Sequence, residues 1–191
     1  VDELGAAIGH LPDAAAQFLQ DEDLNVSQIA NALKDQQALM LVGGGANWFS
    51  AREGALKVEE ESSLLCKTYR PAEYLHNAIP LLSDQVATVS IAPPGKSYAR
   101  LHDVVRTAQV ARSPSLAIVI EGDETLAADA SFVIAVPGQL GELLMPPVAA
   151  IVFQLFGYYL GAERGFNPDA LRTDDLDHAR AWLTAFPFGS H

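Results

Sequence analysis

Apolar positions along the chain follow two periods. They run continuously over Ala38–Val42, Val86–Ile91, Ser115–Ile120 and Phe132–Val136, the mark of strands covered on both faces. Between these runs they recur every three or four residues, over Asn47–Ser62, over Ser97–Ala111, and along an apolar stretch ending near Ala162, which predicts helices. Strands alternating with helices predict an α/β chain, a three-layer α/β/α sandwich around a mostly parallel, doubly wound sheet of the flavodoxin-like kind. The pattern places this domain over residues 36–164. Ahead of it, residues 1–35 carry Leu4, Ile8, Leu11, Phe18, Leu19, Val26, Ile29, Ala30 and Leu33. These predict short amphipathic helices, broken near Pro12 and near Asp21–Asn25, that form a connector packing on the domain or on a partner. Behind it, residues 165–191 read as a tail with a loop at Asn167, Pro168 and Asp169 and a short helix over Asp174–Thr184.

Composition narrows the partners. Of 191 residues, 49% are hydrophobic and 19% charged, enough to bury a core. With 12 Lys+Arg against 24 Asp+Glu the formal net charge is -12, so a nucleic-acid polyanion meets repulsion and is not expected as a partner. One small phosphorylated metabolite remains compatible, because a few backbone amides hold a phosphate locally. Cys66 is the single cysteine, so there is no intramolecular disulfide and no cysteine cluster for zinc, and the chain reads as cytoplasmic. Its place in the apolar run Leu64–Cys66 predicts a structural role. The uncharged stretch Leu143–Ala162 has the length of a membrane span, but Pro146, Pro147, Gln154, Tyr158 and Tyr159 interrupt it and acidic Glu142 and Glu163 flank it. It is read as a helix inside the domain, without a membrane. No basic n-region precedes an apolar stretch at Val1, so no signal peptide is predicted; the missing initiator Met predicts a fragment.

In a parallel α/β sheet, ligands bind where strands run into helix N-termini. The turn Gly43, Gly44, Gly45, Ala46, Asn47 lies at such a place, although GGGANW lacks the third glycine of the dinucleotide pattern. Gly95, Lys96 and Ser97 imitate the end of a P-loop, but Ser90 stands where its first glycine belongs, so that cradle is not formed. Glu53, Lys57 and Glu60, spaced four and three apart, share one helix face. The spacing fits a solvated row of ion pairs, and it also fits a carboxylate base beside a cation. Glu73, Tyr74, Leu75 and His76 follow in a turn-rich segment bounded by Pro71 and Pro80, where a histidine is either polar surface or a proton shuttle.

Taken together, EGALK followed by Glu60, then AEYLH, after a strand and a glycine turn, resemble the sugar isomerase (SIS) family. The likeness is to the second SIS domain of the isomerase module of glucosamine-6-phosphate synthase and of related amino-sugar-phosphate deaminases. It implies that Glu60 is the base moving a proton between the first two sugar carbons, with Lys57 and Glu53 supporting it. It implies that His76 assists ring opening at the neighbouring subunit of a homodimer, and that Gly43, Gly44, Gly45, Asn47 and Glu73 line the sugar pocket. No metal and no organic cofactor is implied. The family's imine-forming lysine in the C-terminal tail is absent from Pro168–His178, and Asn77, Ala78, Ile79 and Pro80 stand where Gly-Pro usually follows the histidine. The family's phosphate-gripping S-x-S-G-x-T loop is also absent, and Ala92–Ser97 resembles the second-domain turn that does not grip phosphate. The expectation is therefore the C-terminal half of a double-SIS amino-sugar-phosphate isomerase or deaminase, or of a transaminase-like isomerase, weakly active or inactive alone. The alternative is a non-catalytic phosphosugar sensor.

Overall fold

The computed structural model describes residue 5 and residues 8–189; Leu4, expected in the first helix, lies outside them. Five strands form one sheet in which every paired strand is parallel: β1 (Ala38–Gly43), β2 (Leu65–Tyr69), β3 (Val86–Ile91), β4 (Ser115–Ile120) and β5 (Phe132–Val136), in the order β2-β1-β3-β4-β5. The topology reverses direction between β1 and β3, the switch point at which such sheets open a crevice. Val42 of β1 lies in register with Tyr69 of β2 and Ser90 of β3 at the C-terminal end of the sheet.

Helices cover both faces. On one lie α1 (Leu11–Asp21), α2 (Asp23–Leu33), α3 (Asn47–Ser62) and α7 (Met145–Glu163), whose Phe18, Ile29, Leu33, Val58, Phe153 and Phe156 share a core with Leu39, Leu41, Val89 and Ile118 of the sheet. On the other lie α4 (Pro71–Asn77), α5 (Tyr98–Val110) and α6 (Glu124–Asp129), closed on Met40, Val42, Ala117 and Val119. The helix α8 (Leu176–Ala185) in the tail has no buried residue. The three-layer sandwich expected from the pattern is thus the fold.

Three elements differ from the pattern. β2 was not foreseen: LCKTY exposes alternate residues on an edge strand, so it shows no continuous apolar run. His76 belongs to a helix, since Pro71 opens α4 and the Glu73 carboxylate accepts the Arg70 N–H at 3.0 Å, which satisfies a donor that would otherwise be orphaned. The short α6 is started by Asp123, which accepts the Leu126 N–H at 3.0 Å.

Among the described residues, α7 alone is long and apolar enough to cross a membrane, and half of its most apolar window is buried inside the fold. Its Pro146 and Pro147 sit in the first turn, where no intrahelical N–H is lost. α3 and α7 approach closely because glycines line their seam. A Cβ on Gly54 would lie 2.5 Å from the Phe153 ring, and one on Gly161 would lie 2.3 Å from the Glu61 carbonyl oxygen. Arg164 closes the same end, donating to Ser62 O at 3.0 Å and to Lys34 O at 2.5 Å, so carbonyls at the ends of two helices gain partners.

Candidate functional site

The glycine turn at the end of β1 is shut. A Cβ on Gly43 would lie 2.0 Å from the Asn47 carbonyl oxygen, and one on Gly44 would lie 2.2 Å from Ser97, so only glycine allows β1, α3 and the start of α5 to meet. Gly45 is exposed and takes φ +55°, a conformation that costs glycine little. Asn47, 1% exposed, donates to the Glu142 backbone carbonyl at 3.0 Å. The Glu142 carboxylate enters the same place, accepting the Ser97 N–H at 2.6 Å.

The acid/base row stands elsewhere on α3. Glu60 is thirteen residues beyond Asn47, which at the helical rise separates them by roughly 20 Å along the axis. The structure therefore does not bring Gly43, Gly44, Gly45 and Asn47 together with Glu60. It does join Lys57 to Glu60: Nζ and Oε2 lie 2.6 Å apart, with the side chains 23% and 36% exposed. The Glu60 hydrogen bond, with the nearby charges of Glu60, Glu53 and Glu61, raises the lysine pKa against the opposing effect of burial. Lys57 is therefore a fixed cation. Glu53 is exposed and borders an open groove of about 740 Å³ formed by Phe49, Arg52 and Leu56 of α3, Cys66 and Thr68 of β2, and Pro146 of α7.

Glu73 and His76 lie on α4. Glu73 is engaged with Arg70, and the backbone hydrogen bond from Arg70 lowers its pKa, with the side-chain bond and the guanidinium charge acting the same way. His76 is exposed; its Nδ1 lies 3.1 Å from Asn77 Oδ1, and among the described residues it makes no hydrogen bond to the Lys57–Glu60 pair. Cys66 is half-buried, and burial, reinforced by Glu59, pushes its thiol up, which leaves no thiolate near neutrality. Among the described residues no group of three or more His, Cys, Asp or Glu side chains is arranged to hold a metal.

Two carboxylates escaped the sequence pattern. Glu61, beside Glu60, turns into the α3–α7 seam, where a Cβ on Gly157 would come within 2.3 Å of its Oε2. That oxygen is buried without a hydrogen-bond partner, and burial pushes the Glu61 pKa up to about 7. Nothing local distinguishes it from Glu59 and Glu60. Glu142 gave no signal because its partners lie 45 and 95 residues away.

Comparison with known proteins adds three findings. The family model described as SIS domain matches residues 32–164. A glutamine–fructose-6-phosphate aminotransferase (isomerizing) from Chlorobaculum tepidum is 30% identical over 165 residues, covering 86% of this chain and 26% of the relative. The chain thus spans about a quarter of the length of the curated relatives it matches. Among solved structures, the C-terminal domain of glucosamine-fructose-6-phosphate aminotransferase from Francisella tularensis superposes with a TM-score of 0.73 at 18% identity, covering 87% of this chain and 46% of that one. Tagatose-6-phosphate ketose/aldose isomerase from Escherichia coli superposes at 0.69 with 18% identity, over 83% and 45%. These last two share the fold.

Proposed function

The chain belongs to the SIS domain family, and from that premise we propose that it supplies the acid/base helix of a cytoplasmic phosphosugar aldose–ketose isomerase. In this reading it is one half of a double-SIS protein, and the substrate is an amino-sugar phosphate such as glucosamine 6-phosphate. The observation that carries the reading is the 2.6 Å contact between Lys57 and Glu60 on a half-open face of α3. Glu60 removes the proton from C2 of the open-chain amino aldose, and the electron pair forms a C1–C2 enolamine as the C1 oxygen is protonated. Return of the proton to C1 leaves the C2 imine as the nitrogen gives up a proton, and water hydrolyses that imine to the ketose phosphate with release of ammonia. The Lys57 ammonium offsets the charge that develops on oxygen, and Glu53 adds to the field that keeps Lys57 charged. His76, exposed on α4, serves ring opening across a homodimer.

The separation of the row from the glycine turn supports the division of labour. With the turn closed on Glu142, the phosphate is gripped by the other SIS domain, and Gly43, Gly44, Gly45, Asn47 and Glu73 border the substrate only through that assembly. The absence of a lysine from Pro168–His178 favours isomerisation or deamination over amide transfer. The test is Glu60→Gln in the full-length protein that contains this chain. Ketose phosphate formed from glucosamine 6-phosphate should fall by about 10²-fold or more in kcat while sugar-phosphate binding persists. Undiminished turnover would remove Glu60 from the chemistry.

A further inference from the structure

Near its C-terminal end α3 carries three consecutive carboxylates, Glu59, Glu60 and Glu61, and two of them are satisfied. Glu59 accepts the Cys66 N–H at 3.1 Å, and Glu60 accepts from Lys57 at 2.6 Å. Glu61 points into the α3–α7 seam. Its Oε2 is buried there without a hydrogen-bond partner among the described residues, at 2.3 Å from where a Gly157 Cβ would stand. A carboxylate left ionised in such a place is costly. Two changes relieve it: the group holds a proton, or a cation comes to it.

The cation is close at hand. Lys57 stands three residues before Glu60 and four before Glu61, so both carboxylates neighbour the same ammonium on the helix surface, with Cβ atoms roughly 5–6 Å apart. Its flexible four-carbon stem can turn to either. Lys57 is engaged by Glu60, while the Glu61 charge also acts on it. Among the described residues, the elements packed on Glu61 bring no second cation to it. α7 meets it with Gly157 and Gly161. Of the titratable side chains in and just after that helix, Tyr158 is exposed, Tyr159 donates to Asp23 at 2.6 Å, and Glu163 pairs with Lys34 at 3.4 Å. Arg164 donates to the Ser62 and Lys34 carbonyls. The segment after α7 contributes Asp169, whose negative charge, like that of Glu60, favours the protonated form of Glu61.

We propose that Glu61 is a positioning residue for the Lys57–Glu60 pair, a second carboxylate that competes with Glu60 for the lysine. While Glu61 holds a proton, Lys57 stays on Glu60. Once ionised, Glu61 draws the ammonium toward the seam and leaves Glu60 without its cation. Burial pushes the Glu61 pKa up to about 7, so the exchange falls near neutrality, with the lysine on Glu60 below that pH and drawn to Glu61 above it. The competition itself is independent of what Glu60 does. Its consequence for turnover rests on the roles proposed for Glu60 and Lys57, because the cation withdrawn is the one that offsets charge on the reacting oxygen.

The competition is read in the 191-residue chain by NMR, following the Glu61 side-chain carboxyl carbon and the Lys57 Nζ resonance between pH 5 and pH 9. In the native chain both should pass through one transition with a midpoint near 7, and Glu61→Gln should abolish the transition at Lys57. Glu60→Gln releases Lys57 and removes a negative neighbour. Both changes favour ionised Glu61, so its midpoint should fall by at least about one pH unit. A Lys57 resonance that does not follow Glu61, or that moves alike in the native and Glu61→Gln chains, or a Glu61 midpoint unmoved by Glu60→Gln, would overturn the proposal. The consequence for turnover is measured in the full-length protein as ketose phosphate formed from glucosamine 6-phosphate. Native kcat should fall as pH rises through 7, while Glu61→Gln should match the native protein at pH 6 and keep its rate at pH 8.5. Matching pH profiles would deny Glu61 a part in positioning. Failure of the role proposed for Glu60 would show differently, as undiminished turnover in Glu60→Gln with the coupling of Lys57 to Glu61 intact.

Discussion

The two ends of α3 are built oppositely. At the N-terminal end, Gly43, Gly44 and buried Asn47 draw three chain segments together, and Glu142 closes the crevice that the sheet topology opens. Roughly 20 Å along the axis, the other end presents Lys57 and Glu60 on a half-exposed face, with Glu61 turned inward against α7. The end that topology marks as a ligand site is filled, and the end that carries acid/base groups is open. In the role proposed for Glu60, the chemistry lies away from the switch-point crevice. What matters is which groups are still free to meet a ligand.

Substitutions at the C-terminal end would break or sharpen this contrast. The largest effect is expected for Gly161→Ala. Its methyl group would stand 2.3 Å from the Glu61 backbone oxygen, which cannot swing aside, so the α3–α7 seam must part. Overpacking of this kind costs about 3 kcal/mol, and urea unfolding should show a free energy of unfolding lower by that amount, with an earlier midpoint; a midpoint near that of the native chain would mean that the seam is loose.

Glu61→Gln should have a smaller effect that depends on pH. Burial raises the Glu61 pKa from 4.5 to about 7 in the folded chain, so between those values the folded state holds a proton that the unfolded state releases. The native chain consequently loses stability as pH rises through that window. The neutral glutamine does not titrate, so variant and native chains should be close in stability at pH 4.5, with the variant ahead at pH 8 by about 1 kcal/mol once the shift is discounted for solvent screening. Parallel stability curves for the two chains across pH 4.5–8 would show that Glu61 is solvated.

The smallest change is expected for Lys57→Met. The Lys57–Glu60 pair is partly exposed and spaced three residues apart on one helix, so its loss should shift stability by no more than about 0.5 kcal/mol. A larger loss in thermal unfolding would make the pair part of the architecture and weaken its assignment to chemistry.

Much of this was legible in the chain itself. The continuous apolar runs of β1, β3, β4 and β5 and the helical period of α3 located these elements, because a strand or helix buried in a layered fold must show its period locally. β2 was hidden because an edge strand is polar at alternate positions. α4 was hidden because Pro71 and Pro80 looked like loop residues, whereas Pro71 at a first turn favours a helix. The Lys57–Glu60 pair was visible in its spacing, since residues three apart on a helix are neighbours whatever the rest of the chain does.

The sequence by itself determined the layered α/β class and the helix face shared by Glu53, Lys57 and Glu60, because both follow from contacts between residues close along the chain. Only the tertiary structure decided that the glycine turn and Glu60 are far apart, that Glu61 and not Glu60 is the buried carboxylate, and that Glu142 fills the crevice. Those outcomes depend on how α7 and its preceding loop pack against α3 and the strand ends, and such long-range packing leaves no period in the sequence for a local pattern to reveal.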